Sequence, residues 1–396
     1  MDLHGARAAE AVGRLARARL HPSAALRQGA DLAGVPGLTL VVLLVNECAL
    51  AALASFRARR RHAWRALALG TALVATLAAH GAWRGLSLKG AEASAPRVHA
   101  LLVQANFARY GELARELGEF ETVALVLETH FALSAEALAR TPADLVVWPE
   151  TVYPTTFGSP KSADGAAFDR AIAAFAAQSG VPLVFGSHDA DAGGEYNAAI
   201  FLEASGAGRV SFDAYRKAAP FPLTERVPDW LDSPWLREAL PWLGAWRAGE
   251  GARVIDLSLS DGRTLRAGPL ICYDALDPSL ARTLARDGAD LFVTLSNDSW
   301  FSHAGGPRLH LLVAAFRSIE TGRAQLRATN TGFSALISPR GAIEQRLAVN
   351  ERGVLAVEAP LLGGYATPYS RIGDALPRAA GVLAIAACAW AARRKR

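Results

Sequence analysis

Cysteine is scarce in this 396-residue chain: there are three, and their contexts do not suggest pairing. Cys48 and Cys388 sit inside apolar stretches, which leaves Cys272 alone in the polar bulk of the sequence. A disulfide framework is therefore not expected, and a lone thiol in a polar domain stands out as a reactive candidate. The nine histidines are scattered, with no H-E-x-x-H pattern and no zinc-type Cys/His spacing. No metal and no cofactor are expected. Internal repeats and long low-complexity stretches are missing as well. Residues 1–36 lack the apolar core of a signal peptide.

Apolar sequence, by contrast, is abundant. Hydrophobic residues make up 51% and the mean hydropathy is +0.17, high for a soluble protein, so membrane segments are the first expectation. Gly37 to Phe56 reads GLTLVVLLVNECALAALASF, about 20 residues and enough to cross a bilayer as a helix. Glu47 within it is expensive in lipid and is expected to face other helices or a polar pocket. Trp64 to Trp83 is a second candidate span with Trp at both ends as interfacial anchors, and Leu376 to Ala392 is a shorter third. Buried core helices are the competing interpretation of all three.

The charge pattern gives these spans a direction. The formal charge is +5, with a pI near 9.3, and much of the excess lies in short runs, Arg57 to Arg65 and Arg393 to Arg396. Runs of this kind beside apolar stretches usually set membrane orientation, and a nucleic-acid partner is not expected. With both runs cytoplasmic, the second span runs outward and the third returns inward, leaving Arg97 to Arg371 on the outer face. Segment 1–36 breaks this rule, carrying Arg7, Arg14, Arg17, Arg19 and Arg27. It is expected on the membrane surface unless further spans precede it.

From Val98 onward, short apolar runs alternate with longer amphipathic ones. VHALLVQAN, DLVVW, VPLVFGS, YNAAIFLE, RVSFDAY, RVIDLSLS, GPLICYD, DLFVTLSN, GFSALISP and GVLAVEAP read as strands. Glu119 to Arg140, Gly165 to Ser179 and Leu309 to about Arg323 read as helices. Strands interleaved with helices predict an α/β layered domain. AEASAP, Ala91 to Pro96, is the expected linker. The predicted organisation is a basic segment at 1–36, a membrane region with two transmembrane helices and linker at 37–96, a domain at 97–372, and a C-terminal transmembrane helix with basic tail at 373–396.

Three reactive residues follow predicted strands: Glu150 after LVVW and Pro149, Lys217 after VSFDAYR, and Cys272 after GPLI. Strand ends gathered at one sheet edge are where α/β proteins build sites, because rigid strands fix geometry. A thiol needs a base to attack a carbonyl at neutral pH. A carboxylate can take that proton and later return it. An ammonium and a backbone N–H, here that of Tyr273, can stabilise the oxyanion that forms. Taken singly, each has an ordinary explanation: Cys272 as a core residue, Glu150 as a loop carboxylate, Lys217 as a surface charge.

The words around them point further. VVWPET, YRK, ICYD and SNDSWF, with HLLVAAFRSIETGRAQLRATNTGFSALISPRG, resemble the nitrilase (carbon–nitrogen hydrolase) superfamily. The long last stretch is similar in particular to the apolipoprotein N-acyltransferases of bacterial envelopes. The resemblance runs from VHALLVQAN to about Arg352 and weakly into LAGVPGLTLVVLLVNECAL. It implies an αββα nitrilase-type sandwich attached to a few transmembrane helices and held outside the bacterial cytoplasmic (inner) membrane. It also implies transfer of an acyl chain from phospholipid, through a cysteine thioester, to the N-terminal diacylglyceryl-cysteine of an apolipoprotein. By position, Cys272 would be the nucleophile, Glu150 the base and Lys217 the oxyanion stabiliser. Glu225 would orient the site, Tyr273 follows the nucleophile as in the family, and Trp148, Asn297 and Trp300 would shape the pocket.

The departures are specific. Asp274 stands where the family usually has Glu. The family's Pro-Phe-Gly-Glu-Tyr-Val-Pro loop is Pro222-Leu223-Thr224-Glu225-Arg226-Val227-Pro228 here, with the spacing kept and the glycine lost. The family's membrane part has several more helices before the one resembling Gly37 to Phe56, so a shortened membrane region is expected. Partners would be a phospholipid donor, a diacylated apolipoprotein acceptor and membrane lipid, with the chain a monomer. The competing interpretations are a membrane-anchored nitrilase-type amidase that passes the acyl group to water, and a catalytically impaired truncated homologue.

Overall fold

The structure is a computed structural model that describes residues 24–57, 62–204, 210–301 and 303–394. The expectations placed on residues 1–23, on most of the arginine run after the first span and on the last two residues lie outside these. The chain forms two compact units, Met1–Gly90 with Asp374–Arg396, and Ala91–Gly373.

The first unit is helical. Ala30–Arg57 is helical on both sides of a break at Ala33 and Gly34, where Gly34 takes φ 68°, a positive value that glycine adopts without a Cβ penalty. His62–Ser94 and Ala375–Arg394 are the other long helices. All three are long and apolar enough to cross a membrane. Glu47, expected to turn toward a neighbour, is exposed. The reason is rotational: Cys48 is the residue that packs on Gly70 of the next helix, and Glu47 stands about 100° around the helix from it. The buried charges lie elsewhere. Asp31 pairs with His80 Nε2 at 2.8 Å and with Arg84 Nε at 2.7 Å, and Arg84 also bonds Gln28. The expected linker is helical through Ala91–Ser94. Ala, Glu and Ala are good helix formers, and Glu92 is held by Arg340 Nε at 3.0 Å.

The second unit contains two six-stranded sheets. The first has the order β12 (Gly353–Pro360), β1 (Arg97–Gln104), β2 (Leu145–Val147), β3 (Leu183–Asp191), β4 (Gly194–Ala204), β5 (Val210–Arg216). The second has the order β11 (Ile343–Arg346), β10 (Ala335–Ile337), β9 (Ala324–Thr329), β8 (Leu291–Ser296), β7 (Thr264–Ile271), β6 (Ile255–Ser258). Period-two alternation along each strand sorts the side chains. Val98, Ala100 and Leu102 of β1 meet Leu291, Val293 and Leu295 of β8 in the core between the sheets. Leu101 and Val103 face outward, to Val126 and Leu127 of helix Glu119–Arg140 and Ile172 of helix Ala163–Ser179. On the other side, Leu270 and Phe292 pack against Leu280, Leu284 and Ala314 of helices Pro278–Arg286 and Gly305–Thr321. The layers are thus helix, sheet, sheet, helix.

Helix Glu119–Arg140 also has the length and composition of a span. Its apolar side is spent on the first sheet, so it belongs to the α/β unit. AQLRAT, not expected as a strand, is the central strand β9. Ala324, Leu326 and Ala328 alternate with Gln325, Arg327 and Thr329, the period of a strand, and both faces are buried.

Strand direction brings the site together. β1, β2 and β3 are parallel; β4 reverses and β5 reverses again, so β2 and β5 end at the same edge. In the second sheet β7, β8 and β9 run parallel.

Candidate active site

Glu150, Lys217 and Cys272 follow the C-terminal ends of β2, β5 and β7, and the geometry draws the first two into one buried network. Lys217, 1% exposed, donates from Nζ to Glu150 Oε1 at 3.1 Å and to Glu225 Oε1 at 2.8 Å. Asn197 on β4 donates to the same two oxygens, at 2.9 and 3.2 Å. The remaining oxygens are held by main chain: Asn297 N donates to Glu150 Oε2 at 2.8 Å, and Phe221 N to Glu225 Oε2 at 2.5 Å. Glu150 is therefore oriented from both sheets. Burial disfavours the Lys217 ammonium, yet Glu150, Cys272 and Glu225 outweigh that and raise its proton affinity, so it stays charged.

Cys272 opens a short 3-10 turn directly after β7, with φ 49°. The left-handed conformation is unfavourable for a residue with a Cβ and turns the chain sharply out of the strand. The thiol is pushed up to about 12, chiefly by burial and by the Glu150 charge, with Lys217 pulling the other way. A thiol raised in this way rests protonated, and it would need a base in order to act as a nucleophile. Two residues on, Asp274 is fully buried. It accepts from Ala219 N at 2.7 Å, Ile271 N at 3.0 Å and Tyr215 Oη at 3.1 Å. Burial raises its carboxyl to about 6 against the pull of Lys217. Asp274 thus ties the segment after Lys217 to the turn of Cys272.

The other expected residues spread around this core. Tyr273 meets Phe221 edge to face, ring centres 5.1 Å apart. Trp148 is wholly buried behind Pro149, its Nε1 donating to Ser134 Oγ at 2.9 Å, and it packs against Phe131 and Phe175. Trp300 is 74% exposed. A cavity of about 440 Å³ opens beside Glu150, lined by Val152, His130, Asn297, Trp300 and Asn330 among others. His130 on its wall is lowered by burial to about 4 and stays neutral at pH 7. Among the described residues no cluster of His, Cys, Asp and Glu has the makings of a metal site.

Sequence reasoning missed Asn197, which reads as an ordinary strand residue in YNAAIFLE, and it missed a second polar cluster below Cys272. There, Asp298 accepts from Ser296 Oγ at 2.9 Å and from Arg327 Nη2 at 3.1 Å, and lies 3.0 Å from His310 Nδ1. Asp298 sits in NDSWF and His310 lies within the helix, where a single polar residue in an apolar stretch gives no distinguishing signal.

Chemically, a thiol on a strained turn, a doubly oriented carboxylate and a fixed ammonium can carry out acyl transfer through a covalent intermediate. Residues 99–369 match the carbon–nitrogen hydrolase family. An apolipoprotein N-acyltransferase of Bdellovibrio bacteriovorus is 30% identical over 336 residues, 81% of this chain and 58% of the relative. One from Azotobacter vinelandii is 35% identical over 320 residues, 79% of this chain and 57% of the relative. One from Geobacter metallireducens is 30% identical over 380 residues, 93% of this chain and 68% of the relative. The chain spans little more than half the length of the first two.

Proposed function

Because the chain belongs to the carbon–nitrogen hydrolase family and, within it, groups with the apolipoprotein N-acyltransferases, we propose that it moves a fatty acyl chain from a phospholipid to the terminal amine of a diacylated lipoprotein. Cys272 is the nucleophile, Glu150 the base and Lys217 the oxyanion partner. One observation carries this choice over an amidase. The similarity to the Geobacter protein extends over 93% of this chain, a share too large to be confined to the α/β unit. A hydrolase of small amides has no use for the apolar helices, whereas a lipid substrate requires them. The charge pattern supports a multi-pass arrangement with the α/β unit outside the inner membrane: the runs Arg57–Arg65 and Arg393–Arg396 sit on the cytoplasmic side.

In the first half-reaction Glu150 takes the thiol proton as Sγ attacks the ester carbonyl. The oxyanion forms against the Lys217 ammonium and the Tyr273 N–H. The ester C–O bond then breaks, Glu150 protonates the leaving alkoxide, and a lysophospholipid departs from the thioester. In the second half-reaction the lipoprotein amine attacks the thioester carbonyl, Glu150 accepts an amine proton, and the C–S bond breaks. Return of that proton to sulfur restores the thiol. Glu225, Asn197 and Asp274 keep the two halves of the site in register, and Asn297 and Trp300 border the space beside the base.

The test is incubation of the purified protein with chain-labelled phospholipid, followed by mass spectrometry of the Cys272 peptide. An acyl adduct on Cys272 that a diacylated lipopeptide discharges as N-acyl product supports the proposal. Discharge by water alone identifies a hydrolase, and a folded protein with no adduct refutes acyl transfer.

A further inference from the structure

The mechanism uses the side chain of Cys272, but the structure also binds its main chain. His310, buried on helix Gly305–Thr321, places Nε2 at 3.1 Å from the carbonyl oxygen of Cys272. A carbonyl only accepts, so Nε2 carries the proton and donates it. The other ring nitrogen, Nδ1, lies 3.0 Å from Asp298 Oδ1 and 3.1 Å from Arg327 Nη2. The ring is therefore pinned at both ends. Asp298 in turn is fixed by Ser296 Oγ, by Arg327 and by close packing: a Cβ on Gly332 would fall 2.0 Å from Asp298 Oδ2. Burial pushes the Asp298 carboxyl up, but Arg327 and His310 prevail and hold it at about 2. It is an anion throughout the physiological range.

This chain of contacts ends at the carbonyl of Cys272, which is one of five non-glycine residues with positive φ among the described residues and the one that bears the proposed nucleophile. With φ 49°, Cys272 gains from relaxing toward an ordinary conformation, and relaxation would swing Sγ away from the base. A hydrogen bond to its own carbonyl opposes that rotation directly. Asp274 restrains the turn from the far side, through Ile271 N and Ala219 N, and does not touch the Cys272 peptide plane. We propose that His310, oriented by Asp298 and Arg327, is a positioning residue that holds Cys272 in its attacking conformation through the carbonyl of Cys272. The inference rests on Cys272 being the nucleophile, but not on the identity of the lipid.

The experiment uses the full chain in detergent with a p-nitrophenyl acyl ester as probe, reading single-turnover nitrophenolate release across a pH and ester-concentration series and the Cys272 adduct by mass spectrometry. Three variants are compared: H310L lacks the donor, H310Q presents an N–H at the reach of Nε2, and H310N stops short of the carbonyl. H310L and H310N should acylate on the order of 100-fold more slowly at saturating ester, the scale of a misplacement near 1 Å. Their half-saturating ester concentration should be unchanged, and H310Q should recover most of the rate. Wild-type acylation rates in H310L and H310N, or H310Q as slow as H310N in folded proteins, would overturn the inference while leaving the nucleophile intact. Should H310L fail to fold, H310Q against H310N decides alone. No adduct on wild-type Cys272 would remove the nucleophile assignment, and this inference with it.

Discussion

Lys217→Met separates the structural and chemical duties of the lysine. The side chain is 1% exposed and its ammonium bridges two carboxylates, themselves 5% and 17% exposed. Methionine fills similar volume but leaves Glu150 and Glu225 directed at one another, with only Asn197 Nδ2 shared between them. Removing one member of a buried, hydrogen-bonded charge group costs about 3–5 kcal/mol, because the partners remain buried without compensation. At roughly 2–4 °C per kcal/mol, the melting temperature of the α/β unit should fall by about 10 °C. Adding Glu225→Gln removes the excess charge and supplies an amide donor toward Glu150, so K217M/E225Q should regain about half of the loss. Activity should not follow. Both variants lack the cation at the oxyanion, and thioester formation from labelled phospholipid should stay about a thousandfold or more below wild type. The assays are thermal unfolding in detergent and adduct mass spectrometry on the same preparations. If K217M melts within about 2 °C of wild type, or if E225Q deepens its loss, the buried triad does not carry the energy assigned to it.

Other consequences can be checked alongside. At Cys272, whose φ is 49°, Gly avoids the Cβ clash, so C272G should be about 0.5–1 kcal/mol more stable than C272A in denaturant titration, both being inactive. Gly186 on β3 sits against the base loop, since a Cβ there would lie 2.3 Å from Thr151 N and 2.5 Å from Glu150 Cα. G186A should therefore push Glu150 out of line and slow adduct formation on the order of 100-fold, and unchanged kinetics would show that the loop gives freely. Asp298 is held at about 2, below its ordinary 3.8, so its stabilisation is complete above that ordinary value and is lost as pH falls toward the folded one. The loss is about 2 kcal/mol, and melting temperatures should drop more steeply between pH 4 and 2 for wild type than for D298N.

The three candidate residues could be located because each follows a predicted strand, LVVW before Glu150, VSFDAYR before Lys217 and GPLI before Cys272, while their proposed roles came from the resemblance of the words around them. Their partners could not be located this way, and the reason is physical. Asn197 belongs to a strand by pattern, and only pairing with β5 brings its amide onto Glu150 and Glu225. His310 and Asp298 stand 12 positions apart and meet only when the helix folds back over the second sheet. The alternation of AQLRAT marks a strand with one polar face, and what it does not reveal is that this face is buried too, Arg327 finding Asp298 there. The expected linker starts where the two units divide, at Ala91, and what was not legible is that it stays helical to Ser94, since Glu92 gains a partner in Arg340 that no local pattern reveals.

In the proposed mechanism the thiol and the lysine act as one device. The Glu150 carboxyl group is shared between Lys217, Asn197 and the Asn297 N–H, and after burial it is the largest influence pushing the thiol up. Transfer of the thiol proton to Glu150 would, in that mechanism, cancel the carboxylate charge in the same step that creates charge on sulfur and then on the substrate oxygen. Lys217 loses half of its anionic partners at that instant, keeping Glu225 at 2.8 Å as an anchor. Its freed electrostatic attraction is then available to the oxyanion, without any movement of the ammonium. A carboxylate pair around the lysine serves this purpose where a single one would not: with Glu225 absent the ammonium would have no fixed position once Glu150 is protonated. The raised thiol follows from the same design, since a site built to stabilise charge only after proton transfer must disfavour it before.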